Sequence, residues 1–109
     1  MYNYNQPKKI DMNFVKDGAY RGGEAFSALN RSHGLFYVHG SLPGLVNSSS
    51  KIFASISEVG IFDDQVKPFL GAANMMILNV VPMDNSEVLV RCYIDWNEDL
   101  DFQVSIVVF

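Results

Sequence analysis

The sequence predicts an all-β domain, a small antiparallel β-sandwich or jelly-roll-like flattened barrel of about six to seven strands. Three observations carry this. Short runs rich in β-branched and aromatic residues recur at close spacing, helical periodicity is almost absent, and the glycines fall mainly in the connections. The strongest runs lie in the last third, at residues 75–81, 87–94 and 102–109, separated by polar breaker clusters. They read as a C-terminal three-stranded antiparallel meander, because their lengths and loops suit hairpin connections.

The preceding elements follow in order. Residues 1–9, with Tyr2, Tyr4 and Pro7 before Lys8 and Lys9, read as an N-terminal arm, and residues 10–109 as one sandwich domain. Ile10, Met12 and Phe14 alternate with Asp11, Asn13 and Val15, the pattern of a half-buried strand ending at Asp17-Gly18. Arg21-Gly22-Gly23 is a turn. Residues 24–29 fit either a short helical piece or an irregular strand, since the spacing of Ala25, Phe26 and Leu29 is too short to separate the two. Residues 35–39 form a compact apolar strand between Gly34 and Gly40, and residues 41–50 a loop with a Pro43-Gly44 turn. From Lys51 the chain alternates again: Ile52, Ala54 and Ile56 share one face, Phe53, Ser55 and Ser57 the other. Gly60 suggests a bulge before Ile61 and Phe62, and residues 63–68 turn the chain towards the final third.

Composition narrows the function classes. With 49% hydrophobic, 13% aromatic and 18% charged residues, the chain belongs with folding domains rather than disordered segments. A net charge of −4 and a pI near 4.9 argue against a nucleic-acid partner, which needs a basic surface field. No apolar run approaches the length of a membrane span, and no secretory leader is visible, so the expected protein is soluble, cytoplasmic or released without a signal peptide. The single cysteine, Cys92, sits within an apolar strand and offers neither a disulfide framework nor an activated thiol.

Few residues point to chemistry. Asp95, Asn97, Asp99 and Asp101 place oxygen-bearing side chains at alternate positions, as calcium loops do. Leu100 stands where the turn glycine belongs and Ile106 where the closing glutamate does, so the segment is an acidic turn and no metal is expected. His33 and His39 flank one strand without an acidic neighbour in sequence. Asn47-Ser48-Ser49 matches a glycosylation acceptor, which matters only in a secretory pathway. Trp96 at a strand end, beside the polar side chains of Asp95, Asn97 and Asp99, is the candidate ligand platform, because an indole stacks on sugar faces and side-chain oxygens accept hydroxyl hydrogen bonds.

In size and strand pattern the chain resembles small sandwich modules of lectins, phage appendages and virions, an architectural analogy only. The leading expectation is a non-enzymatic binding or assembly module, homo-oligomeric, recognising a carbohydrate or a protein surface through loop residues and using no cofactor. The alternatives are a purely structural subunit and a small enzyme that pairs Asp64, Glu87 or Asp99 with His33 or His39 in space. Strands apolar on both faces motivate the oligomer. Val104, Ile106 and Val108 can face the core, which leaves Val107 and Phe109 outside, and these two, with Ile77 or Val81 from the same sheet, are the expected subunit contact.

Overall fold

A computed structural model describes residues 8–20 and 22–109, with Tyr20 represented by its backbone. The expected arm therefore falls largely outside the described residues, as does Arg21. Nine strands are present among them: β1 (Lys8–Asp11), β2 (Val15–Tyr20), β3 (Gly23–Ser32), β4 (Gly34–Ser41), β5 (Ile52–Phe62), β6 (Gln65–Phe69), β7 (Asn74–Pro82), β8 (Glu87–Asp95) and β9 (Leu100–Val108). They form a four-stranded sheet in the order β1-β4-β8-β7 and a five-stranded sheet in the order β2-β3-β9-β5-β6. All pairings are antiparallel except β1 with β4.

The sandwich class stands, and the period-two pattern explains it. Phe36 and Val38 on β4, with Val88, Val90, Cys92 and Ile94 on β8, point inwards from one layer. Phe102, Val104, Ile106 and Val108 on β9 and Phe26 and Ala28 on β3 meet them from the other. Phe36 and Phe102 pack across the middle with ring centroids 5.1 Å apart. Each such buried aliphatic or aromatic side chain stabilises the fold by roughly 1.5–3 kcal/mol. Leu42 and Val46 in the β4–β5 loop cap one end of this core, and Met12 and Phe14 join it where the chain crosses from β1 to β2.

Several expectations are corrected. The meander is split: β7 and β8 form the expected hairpin, but β9 crosses to the other layer and pairs with β3 and β5. A strand with one apolar face satisfies its burial equally well in either layer, so local pattern does not choose the sheet. Lys8 and Lys9, assigned to the arm, belong to β1, and the alternating run from Ile10 divides into β1 and β2 in different sheets. Residues 24–29 are strand throughout, because Phe26 and Ala28 alternate into the core. Gly60 makes no bulge; β5 runs through it in regular register with Lys67. Residues 65–68, read as turn, form with Phe69 an edge strand joined to β5 by Asp63 and Asp64, both at positive φ (53° and 61°) as a two-residue hairpin turn requires.

The four sheet edges are blunted, each differently. β1 is short and carries Lys8 and Lys9, β2 has a register shift between Lys16 and Gly18, and β7 has one between Ile77 and Asn79. On β6, Pro68 lies opposite Val59, three positions beyond the pair that closes the hairpin. Alternation of the ladder makes that a non-hydrogen-bonded position, so the missing N–H leaves the β5 ladder intact and removes a donor from the free edge. Strand addition at an edge is thus disfavoured, and the outer faces of the sheets become the surfaces of interest.

Candidate functional surfaces

The outer face of the five-stranded sheet is built from the odd-numbered positions of β3, β5 and β9. Cross-strand register places them in rows: Phe53–Val107–Ala25, then Ser55–Ser105–Ser27, then Ser57–Gln103–Leu29, with Val15 of β2 beside Ser27. None of these positions carries a charge. Phe53 is 69% exposed, Leu29 51% and Phe109 48%, and the Phe53 and Phe109 rings meet edge to face at 5.7 Å. Gly23 continues the β3 face, and a Cβ there would come within 2.7 Å of the Val107 side chain, so only glycine lets Val107 and Phe109 lie flat. Charge appears at the rim, where Arg31 pairs with Asp101 at 3.9 Å and Asp17 accepts a hydrogen bond from Ser27.

The outer face of the four-stranded sheet has a different character. Its rows are Leu35–Tyr93–Met76, Tyr37–Arg91–Asn79 and His39–Leu89–Val81, with Lys9 beside Tyr37 and Asp11 beside His39. Arg91 Nη1 donates to Asn79 Oδ1 at 3.1 Å, and a concavity of about 230 Å3 is lined by Tyr37, Asn79, Val81, Leu89 and Arg91. At the end of this face both nitrogens of His39 reach carboxylates, Nδ1 to Asp11 at 3.0 Å and Nε2 to Glu87 at 3.1 Å. The hydrogen bond from His39 holds the Glu87 carboxyl below its usual range against the opposing effect of burial, and Asn85 adds a second bond at 2.7 Å.

The predicted site residues are distributed over these surfaces. Asp95, Trp96, Asn97 and Asp99 are exposed in and around the β8–β9 connection, with Trp96 41% accessible. Asp99 is engaged: its carboxylate meets His33 Nδ1 at 2.6 Å, and that bond lowers its pKa. His33 thus has an acidic partner, 66 residues away in sequence and invisible to local spacing. Among the described residues no cluster of three histidine, cysteine or acidic side chains could hold a metal.

The expected contact of Val107 and Phe109 with Ile77 or Val81 in one sheet is corrected, because β9 and β7 lie in different layers. Ile77 packs inwards against the core, and Val81 is exposed on the four-stranded face. The residues that do adjoin Val107 are Phe53, Ala25 and Gly23. Phe53 was legible as an outward position, but its partnership with Val107 required the crossing of β9.

Two histidine–carboxylate pairs are brought together, as the enzyme alternative requires, whereas Asp64 lies apart in the β5–β6 turn. The geometry of each limits its chemistry. His39 has both nitrogens committed to carboxylates, which leaves no ring position to take a proton from a nucleophile. Beside His33, Ser32 is buried and its hydroxyl donates to the His33 carbonyl at 3.5 Å, away from the ring. Cys92 is buried, and desolvation pushes its thiol pKa up to about 12, the opposite of activation. Among the described residues no helix is long and apolar enough to cross a membrane. No protein-family model, curated protein or solved structure matches the chain.

Proposed function

We propose that this protein is a non-enzymatic β-sandwich module that assembles with copies of itself through the outer face of the five-stranded sheet and recognises a carbohydrate or protein surface with the face left free. The observation that supports assembly is the charge-free centre of the outer surface across β3, β9 and β5, bounded by Arg31 and Asp101 at one end and by Lys51, opposite Phe109, at the other, in a chain of net charge −4. A solvated sheet face normally carries lysine, glutamate and threonine, whereas charge depletion around aromatic residues, with a polar rim, marks the centre of a subunit contact. Small residues (Gly23, Ala25, Ser27, Ser55, Ser105) keep the surface flat, and Phe53, Val107 and Phe109 supply the apolar anchor. Blunted edges favour face-to-face packing in a closed oligomer over edge-to-edge growth.

Light scattering across a hundredfold dilution tests this. An oligomeric mass that holds over the series is expected, and a protein monomeric throughout overturns the assembly reading. The purely structural alternative draws support from the β5–β6 hairpin and the link that follows it, where Ile61, Val66 and a fully exposed Leu70 offer further contacts to neighbours. An oligomer inert to glycans and to proteins other than itself is the outcome that favours it.

A further inference from the structure

We propose that the concavity on the outer face of the four-stranded sheet is a binding site for a carboxylate-bearing sugar ring, with Arg91 receiving the carboxylate. The inference rests on reading this face as the recognition surface, and it names the ligand class. Its basis is charge complementarity. Arg91 is exposed, and among the described residues its guanidinium meets no carboxylate within ion-pair distance; its hydrogen bond goes to the neutral Asn79 amide. Arg31, on the other sheet, pairs with Asp101 instead. A guanidinium held by an amide keeps most of its planar fork of donors for an incoming anion, and a carboxylate matches that fork with two parallel bonds.

The surroundings select a ring rather than a bare ion. Asn79 Oδ1 is occupied by Arg91, so the amide presents Nδ2 as a donor to hydroxyl oxygens. Tyr37 provides an aromatic body with a phenolic tip, and Val81 and Leu89 line the rest of the concavity. Its volume of about 230 Å3 falls below the roughly 300–1,000 Å3 of sites for drug-sized ligands and suits a single ring. On the far side of Leu89, Asp11 and Glu87 gather around His39. Lys9 pairs with Asp11 at 3.7 Å, which leaves Arg91 as the guanidinium free for the ligand carboxylate and the carboxylates at the opposite end as acceptors for hydroxyl groups. An extended acidic peptide fits less well, since the adjoining β7 edge is bulged and cannot take an added strand.

Titration calorimetry on the intact protein is the test, with methyl β-glucuronide, methyl β-glucoside and a capped glutamate-rich peptide as probes. The glucuronide is expected to bind, and the glucoside to bind roughly tenfold or more weakly, because it lacks the charge-assisted pair. Arg91→Gln should remove that preference while melting temperature and oligomeric mass stay unchanged, and Arg91→Lys should restore part of it as a point charge without the fork. Glucuronide that fails to bind at millimolar concentration, or binds no better than glucoside, overturns the inference. Arg91-dependent binding of the peptide alone also overturns it while keeping this face as a recognition surface. Binding of none of the three probes likewise overturns the inference and leaves the assembly reading to the dilution series.

Discussion

Replacing Phe53 by aspartate is the sharpest test of the assembly surface, because the ring lies outside the core and its loss leaves the sandwich intact. Phe53 is 69% exposed, and its described aromatic contact is the edge-to-face meeting with Phe109. A phenylalanine offers roughly 150–250 Å2 to burial, so covering its exposed part removes about 140 Å2 from water. At about 25 cal/mol per Å2 that contributes about 3 kcal/mol per subunit, or on the order of a hundredfold in the dissociation constant. Aspartate adds the desolvation of a carboxylate placed in the apolar row of Val107 and Ala25. Within one subunit the lost ring pair is worth only about 0.5–1.5 kcal/mol. Light scattering should therefore show dissociation at concentrations where the wild type is assembled, while circular dichroism and cooperative unfolding are retained. Phe53→Ser, which removes area without adding charge, should give an intermediate shift, and Phe109→Asp should act like Phe53→Asp. If Phe53→Asp keeps the wild-type mass throughout the dilution series, this face is not the contact.

Three further outcomes follow from the packing. A Cβ at Gly40 would run into the Phe14 ring, so Gly40→Ala should cost about 1–3 kcal/mol by overpacking, read as a lower denaturant midpoint. Glu87 has a folded pKa depressed below its ordinary 4.5, so its stabilising effect is complete above that value and is lost as pH falls through the lower, folded one. The acid limb of stability should accordingly be shallower in Glu87→Gln, as measured by thermal melts at successive pH values. Burial and a pKa near 12 should keep Cys92 unreactive towards a thiol-specific disulfide reagent at pH 8 until denaturant is added, and rapid reaction in the native protein would show that the β8 core opens.

Much of the fold was legible because alternation reports burial directly. The inward set on β9 and the two faces of β5 follow from residue parity alone. The sequence was silent where two solutions bury the same side chains: nothing in residues 102–109 distinguishes pairing with β8 from insertion between β3 and β5. β6 escaped notice because Pro68 and Lys67, which protect an edge, also look like turn residues. The candidate surfaces were less legible still. Arg91 and Asn79 come from neighbouring strands across a register shift, and His33 finds Asp99 through the far end of the sandwich, so each juxtaposition belongs to register rather than spacing.

The placement of β8 and β9 also bears on how the chain folds. β8 lies between β4 and β7, and β9 between β3 and β5, so one short connection joins the central strands of both layers. β8 meets β7 through a short hairpin, but its pairing with β4 and those of β9 with β3 and β5 close long stretches of chain, which slows the search. Neither sheet can persist as a half-folded unit, and a nascent chain remains without its core until both strands have emerged. Amide protons of β8 and β9 are then the last to exchange with deuterium, since exposing either one unfolds the whole molecule.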